Sequence, residues 1–517
     1  MKLKWLVLGL LLGLIILSAG VGFKIKEKQK TIKKTEESAV KKCDHCNIML
    51  MDIDILRADE LPCYGYSRNT APNLCSFAKK SIVLKDNYST AVWTLPSVFS
   101  TVTSLYPTFH RIRISYRDKL SDKIPTLAET LKKEGYYTVY VGYDLKNSAL
   151  LSSENGGLRG YDLVTNEPID KVISDISKER KPWFIHYYNA DLHLPYLIPE
   201  GEKPIDNSLQ APKNLPITES DFNKLLDTYV RKNYAKVFNQ KGIKEYSSII
   251  LSKKKSDEDV SVVNLFYKIK STGMEIEYLK DGWNPIYNTY LSTFDAKNES
   301  DVAYVKMMYD TNLSILDRDL KTVLEKLDSD EKTVTVIMSD HGESFGEHGT
   351  FSHSDDYHSE LFYTPLIIHS PVLKEKIIDQ TSSNIDIFPT ILDAVNIPKI
   401  EGLMGKSLIN NEDIGSSRFV FGESSEGFII QNKDWLCFSP IDSPVSKSIL
   451  YNKKLDPKEQ NNVATEYPEV TQSLYNQMEL LRSYELLLLG IKPTTVYSTP
   501  INLEPEKIEK LKKEGYF

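Results

Sequence analysis

Two short apolar runs organise the hydrophobic pattern of this chain: Asn47 to Ile53, and the β-branched Thr333 to Met338. Each has the length of a strand buried on both faces, and each runs directly into acidic residues. Further strand-like runs occur at Tyr137 to Val141 and Trp183 to Tyr188, and apolar residues at three-to-four spacing predict helices over Ile124 to Glu134 and Asp310 to Leu327. Strand and helix signals that alternate in this way predict an α/β fold built on a mostly parallel sheet flanked by helices. Such sheets bind ligands beyond the carboxyl ends of their strands. Periodicity weakens over about 200–300, a stretch rich in Lys, Ser, Tyr and Asn that reads as an insertion or cap. Beyond Pro371 the pattern changes. Ile385 to Ala394 reads as a helix, Phe419 to Gly422 and Gly427 to Ile430 as strands, and about Val470 to Leu489 as a final helix, together a smaller α+β subdomain. No internal repeat is found.

The N-terminus has a different character. Trp5 to Phe23 is an uncharged run of 19 residues, long enough as a helix to span the roughly 30 Å of a bilayer core. It reads as a membrane anchor or a signal peptide; Ser18, Ala19 and Gly20 supply small residues without an A-x-A cleavage pattern. Lys24 to Lys42, with eight Lys and three Glu, reads as a solvated linker. The expected organisation is therefore an anchor or signal over 1–23, a basic linker over 24–42, a catalytic body over 43–375 containing the 200–300 insertion, and the C-terminal subdomain over 376–517.

Composition changes this picture little: 517 residues, 41% hydrophobic and 26% charged, describe an ordinary globular chain. Charge is more informative. The net charge is −7, and residues 1–42 carry +7 of their own, which leaves −14 for the body. A net negative chain argues against a nucleic-acid partner, because backbone recognition needs an excess or patch of cations. Among five cysteines, Cys43-Asp-His-Cys46 is half of a zinc-module pattern without its second half, so a Cys43/Cys46 or Cys63/Cys75 disulfide in an exported body, or free thiols, are the alternatives.

Five segments carry candidate chemistry. In Met51-Asp52-Ile53-Asp54-Ile55-Leu56-Arg57-Ala58-Asp59 a strand ends in carboxylates, with Asp52 and Asp54 on one face by the period of two. Ser339-Asp340-His341-Gly342-Glu343 places a carboxylate beside an imidazole directly after the second run, a pair that can ligate one divalent ion. In Trp93-Thr94-Leu95-Pro96-Ser97-Val98, Pro96 suits a first helical turn, so Thr94 falls just before a helix N-terminus, where unpaired N–H groups favour anions. A hydroxyl there can cap the helix or, beside a metal, serve as an activated nucleophile. His193, in Asp191-Leu192-His193-Leu194-Pro195-Tyr196, and His353 complete the set. Three of the nine histidines thus lie in such segments.

These segments, in this order, resemble the sulfatase family of the alkaline-phosphatase superfamily from about Asn47 to Asn462. The matching stretches are Ile53 to Asp59 with Cys63-Tyr64-Gly65-Tyr66, Thr70-Ala71-Pro72-Asn73-Leu74, Trp93 to Ser97 with Leu105-Tyr106-Pro107, and Asp191 to Tyr196. Ser339 to Glu343 with Gly346-Glu347-His348-Gly349, Thr364 to Ile368, Asp386-Ile387-Phe388-Pro389-Thr390 and Leu455-Asp456-Pro457-Lys458-Glu459 complete them. The resemblance implies one divalent ion (Mn, Zn, Mg or Ca) held by Asp54, Thr94, Asp340 and His341, with Thr94 at the nucleophile position. It puts His193 and His353 where the family contacts the ester's anionic oxygens or protonates the leaving group.

The chain also departs from the family pattern. Sulfatases mature Cys or Ser within Cys/Ser-x-Pro-x-Arg to formylglycine, whereas this chain has Thr94 and Val98; its paired acids become Asp54-Ile55, and Gly142-Tyr143-Asp144 replaces a Gly-Lys-x-His stretch. The Thr-bearing pattern resembles the membrane-anchored phosphoethanolamine and glycerolphosphate transferases of the superfamily. The reading is a metal-dependent hydrolase or transferase of phosphoric or sulfuric esters, acting on a small-molecule, lipid or glycan ester outside the cytoplasm, either periplasmic or extracellular. It would be membrane-anchored, or secreted if the N-terminal segment is cleaved. The alternatives are an inactive, envelope-anchored binding protein of the same fold and, less fully supported, a zinc module at Cys43 and Cys46.

Overall fold

A computed structural model of the chain describes residues 42–113, 118–142, 151–178, 181–194, 196, 198–199, 201–209, 294–353, 356–409 and 418–488. The expected anchor, nearly all of the linker and most of the 200–300 cap lie outside these residues, as do Tyr143, Asp144 and Pro195. Among the described residues, no helix is long and apolar enough to cross a membrane.

The first apolar run forms strand β1 (Asn47–Ile53), in which Ile48, Met49, Leu50, Met51 and Ile53 are fully buried. Each such side chain contributes about 1.5–3 kcal/mol of transfer free energy, so this strand anchors the core. Seven more strands join it: β2 (Ile82–Leu84), β3 (Tyr137–Val141), β4 (Leu163–Thr165), β5 (Trp183–Asn189), β6 (Thr333–Met338), β7 (Leu366–His369) and β8 (Lys376–Ile378). Their order is β8-β2-β7-β6-β1-β5-β3-β4. β1 lies between β5 and β6, parallel to both, with Asp52 opposite Tyr188 on one side and Met338 on the other. Only β7 is reversed, antiparallel to β6 and β2. The expected mostly parallel α/β sheet is what the chain forms.

Helices cover the sheet. Helix α1 (Pro72–Ala78) starts within the Thr70 to Leu74 motif. Its exposed N–H groups are capped from afar: Asp317 accepts from the Asn73 and Leu74 amides at 3.0 and 2.7 Å. Asp317 lies on helix α5 (Glu299–Ser329), which begins earlier than the expected Asp310 because Asn298 caps it, accepting from Ser300 N at 2.9 Å. Glu299 and Asp301 then suit its first turn. Between them come α2 (Thr94–Thr103), α3 (Leu127–Lys133), closed by a Thr126/Glu129 capping box, and α4 (Ile169–Ile176).

The C-terminal part divides differently from the expected boundary at 376. β8 belongs to the large sheet, and α6 (Ile387–Ala394) follows a short 3₁₀ turn and packs with α2 and β6. The second sheet begins at Val420. It is antiparallel, with β9 (Val420–Glu423), β10 (Gly427–Gln431), β11 (Trp435–Pro440) and β12 (Ile449–Asn452) in sequence order, backed by α7 (Pro468–Leu488). Strands β11 and β12 escape a sequence reading because Trp-Leu-Cys-Phe-Ser-Pro and Ile-Leu-Tyr-Asn lack clean alternation.

Cys43–Cys46 and Cys63–Cys75 are disulfide-linked and Cys437 is a buried free thiol. Both expected pairings therefore form, and the zinc module is overturned, because neither thiolate of Cys43 and Cys46 remains to bind metal. The Cys63–Cys75 link ties the turn after β1 to α1. Replacing both residues with Ser should cost about 3 kcal/mol, and replacing Cys43 and Cys46 about 1 kcal/mol less, because loop closure scales with loop length. Midpoints of guanidinium unfolding check both.

His110 supports α2 from below. Its Nε2 lies 3.1 Å from both the Pro96 carbonyl and Ser100 Oγ, and its Nδ1 accepts from the Ile112 amide at 3.0 Å. One ring nitrogen donates and the other accepts, so the ring is neutral. Burial, with Arg113 nearby, pushes its pKa down to about 3. Between pH 6.5 and 3 the unfolded chain binds a proton here that the native chain does not. Stability is thus lost as pH falls through that window, by up to about 1.4 kcal/mol per unit. The variant His110→Gln should show a shallower acid slope in pH-dependent thermal unfolding.

Candidate active site

The adjacent ends of β1 and β6 bring the candidate metal ligands together. Asp54 follows Ile53, its amide bonded to the Asn189 carbonyl at 2.9 Å, and Asp340 and His341 follow Met338 through Ser339. Between Asp54 and the next helical turn the backbone bends sharply through Ile55, at φ 53°. That conformation strains a β-branched residue. Its neighbours hold it: Tyr309 donates to the Ile55 carbonyl at 3.0 Å and accepts from Arg57 N, while Ser339 Oγ accepts from Leu56 N at 2.8 Å. Gly342 then lets the second loop pass against the chain at Glu360. A Cβ there would lie 1.9 Å from the Glu360 carbonyl oxygen.

Within this frame Asp54, Asp340 and His341 are all buried, with one donor atom from each inside a 4.8 Å cluster. His341 Nδ1 lies 2.7 Å from the Gly342 carbonyl, the partner to which an N–H donates. Its Nε2 lone pair therefore faces Asp54 Oδ1 at 3.5 Å, Asp340 Oδ2 at 3.6 Å and Thr94 Oγ1 at 3.2 Å. Asp54 Oδ1 and Asp340 Oδ2 are buried with no hydrogen-bond partner. Lone pairs aimed at one another in a dry site repel unless a cation lies between them. The residues thus fit a divalent ion with mixed oxygen and nitrogen ligands.

Protonation follows the same geometry. Burial pushes Asp54 up, but His193 nearby and the Tyr188 hydroxyl, donating at 2.7 Å, hold it below the ordinary carboxylate range. Burial and the neighbouring charges of Asp54 and Asp52 push Asp340 well above that range. Burial, with His353 beside it, pushes His341 down to about 3, which keeps the imidazole neutral as a ligand must be.

Thr94 is the first residue of α2 rather than the residue before it; Trp93 is the N-cap. It is half-buried, as are His193 and His353, while the carboxylates beneath are closed off. His353 lies against His341 with ring centroids 4.4 Å apart and against His193 at 5.2 Å. The five segments therefore converge on one point. Asp52 does not join the cluster: fully buried on β1, its Oδ2 lies 3.8 Å from His186 Nε2.

A sequence reading leaves some residues unnoticed. Glu343 holds His353 Nδ1 at 3.1 Å and accepts from Tyr196 at 2.8 Å, and Tyr188 holds Asp54. Arg57, 3% exposed, grips Asp59, Glu347 and the Glu343 carbonyl. Glu343 and Arg57 sit inside quoted motifs and could be found there. Tyr188 ends an apolar strand and gives no signal.

A central parallel sheet with a metal-fitting cluster at its carboxyl edge and a second antiparallel sheet is the architecture of sulfatase-like proteins. The sulfatase family model matches residues 47–397, and the chain belongs to that family. Arylsulfatase K of Mus musculus is 26% identical over 219 residues, 38% of this chain and 39% of that protein. The Danio rerio arylsulfatase K is 30% identical over 170 residues, 29% and 31% of the two chains. The chain thus spans less than half the length of these relatives. Among solved structures, a protein in complex with its substrate D-glucosamine-2-N,6-O-disulfate superposes at TM-score 0.59, with 18% identity, over 88% of this chain and all of that one. A phosphonate monoester hydrolase of Agrobacterium radiobacter superposes at 0.59 with 17% identity, over 85% and 96%.

The crowding of carboxylates gives a prediction. Asp340→Asn removes one charge from the buried pair and should make metal-free protein about 1–2 kcal/mol more stable. The same change should nearly abolish stabilisation by added Mn²⁺ or Zn²⁺, which in the parent reaches about 4 kcal/mol at a thousandfold excess over Kd. Thermal unfolding in chelator and in metal checks both.

Proposed function

We propose that this protein is a metal-dependent hydrolase or transferase of phosphoric esters in which Thr94 is the nucleophile. The observation that carries this reading is the Thr94 hydroxyl 3.2 Å from His341 Nε2, above buried and unneutralised Asp54 and Asp340. A divalent ion held by Asp54, Asp340 and His341 would polarise the ester and lower the pKa of the Thr94 hydroxyl. Thr94 Oγ1, its proton released to solvent, attacks phosphorus as the bond to the leaving oxygen breaks. His193 and His353 neutralise charge on the ester oxygens, and one of them gives the leaving oxygen its proton. Glu343 orients His353 for this task, and the Leu194 carbonyl, 3.1 Å from His193 Nδ1, orients His193. Water or an alcohol acceptor then takes the phosphoryl group from Thr94.

Phosphorus is favoured over sulfur by the chemistry of threonine. Formylglycine discharges sulfate because its second hydroxyl can collapse to the aldehyde. A Thr94 sulfate has no such exit, whereas a phosphothreonine is open to attack at phosphorus. Sulfatase-like ester hydrolysis is the broader reading that family membership and the arylsulfatase relatives support. Substrates would be ester-bearing lipids, glycans or small molecules. An extracytoplasmic location accords with the two disulfides, which persist in oxidising compartments, and the N-terminal run would supply the anchor.

The test is turnover of aryl phosphate, phosphodiester, phosphonate and aryl sulfate with Mn²⁺, Zn²⁺, Mg²⁺ or Ca²⁺. Thr94→Ala should lower kcat/KM on the phosphorus esters by about 10³-fold or more, with secondary structure unchanged by circular dichroism. Sulfate release that depends on Thr94 would overturn the preference for phosphorus. Absence of turnover with every metal and acceptor would favour the binding-protein alternative.

A further inference from the structure

The loop that follows the Asp340–His341 pair carries a second cluster outside the catalytic one. His348 and His358 stack face to face, ring centroids 3.3 Å apart and planes within 2°. Glu360, in the short helix Ser359–Phe362, is 8% exposed, and its Oε1 lies 3.5 Å from His348 Nε2. That oxygen is buried and makes no hydrogen bond. One donor atom from each of the three residues falls within 4.8 Å of the others.

A buried carboxylate oxygen without a hydrogen-bond partner is costly. Arg57, whose charge acts on Glu360, is itself held by Asp59 and Glu347 at 2.6 Å each. Two stacked imidazoles cannot both be cationic without repulsion. Acids act on the cluster: Asp356 accepts from His358 Nδ1 at 2.5 Å, with His358 Nε2 3.3 Å from the Tyr451 hydroxyl, and the charges of Glu347 and Glu459 act on Glu360. A carboxylate bonded to one imidazole nitrogen is the usual means of orienting a metal-ligating histidine. The backbone is fixed as well, because Gly342 N donates to the Leu361 carbonyl at 2.8 Å.

We propose that His348, His358 and Glu360 form a second divalent-cation site, distinct from Asp54, Asp340 and His341 and suited to Zn²⁺. Two imidazoles and one carboxylate are a Zn²⁺ ligand set, whereas Ca²⁺ and Mg²⁺ prefer oxygen throughout. An ion there ties the loop from Glu343 to His353, which carries a histidine and a glutamate of the candidate active site, to the segment leading into β7.

The test is metal content of the full chain after loading with Zn²⁺ and removal of excess, read by mass spectrometry of the element. The parent should hold two equivalents, Asp340→Asn one, Glu360→Gln one, and the double variant none. His358→Phe, which keeps the ring stack and removes the donors, should also hold one; it covers the case in which Glu360→Gln does not fold. One equivalent in the parent that Asp340→Asn loses and Glu360→Gln keeps, or two in both Glu360→Gln and His358→Phe, overturns the proposal.

Discussion

The structure is built around carboxylates that it buries without neutralising. Asp54 Oδ1 and Asp340 Oδ2 face the lone pair of His341 Nε2 in a closed space, with no hydrogen-bond partner of their own. An uncompensated buried carboxylate costs several kcal/mol, so the surrounding fold has to hold these groups against their repulsion. The register of β1 and β6 does much of this. The two strands are parallel neighbours, and their ends deliver Asp54 and Asp340 side by side on rigid backbone. Tyr309, Ser339 and Tyr188 fix the turn and the carboxylate beyond it.

Thr94 is positioned from the other side. The chain leading to α2 is paired with β9 of the second sheet, through Glu423 N to the Thr90 carbonyl at 3.0 Å and Val92 N to the Glu423 carbonyl at 3.3 Å. Glu423 also pairs with Arg113 at 2.7 Å. The C-terminal sheet is therefore part of the candidate site's scaffold although it supplies none of the candidate ligands. Depth separates the roles: groups that suit a cation are buried, while the hydroxyl and the two histidines that would meet substrate are partly exposed.

Much of this is legible in the sequence because buried parallel strands have a strong signature. Asn47–Ile53 and Thr333–Met338 were bounded to the residue, since both are unbroken apolar runs that stop at acids. Residues such as Asp54, Asp340 and His341 follow from those ends. What pattern could not supply is contact between distant segments. Tyr188 on Asp54, Glu343 on His353 and Asp317 on the start of α1 depend on tertiary placement. The reversed direction of β7 is likewise invisible, because a four-residue apolar strand reads the same both ways. The boundary at 376 failed for a related reason: a change in local pattern marked the end of regular alternation rather than the end of the large sheet.

The central claim is that Thr94 carries the transferred group when the buried cluster beneath it holds a cation. It is tested most directly by acid-quenching the protein during turnover of a ³²P-labelled phosphoester, with metal present and with chelator, and mapping the label by peptide mass spectrometry. The account predicts label on Thr94 only in the presence of metal. Phosphoester turnover with no label on Thr94, or label accumulating there in chelator, would contradict it.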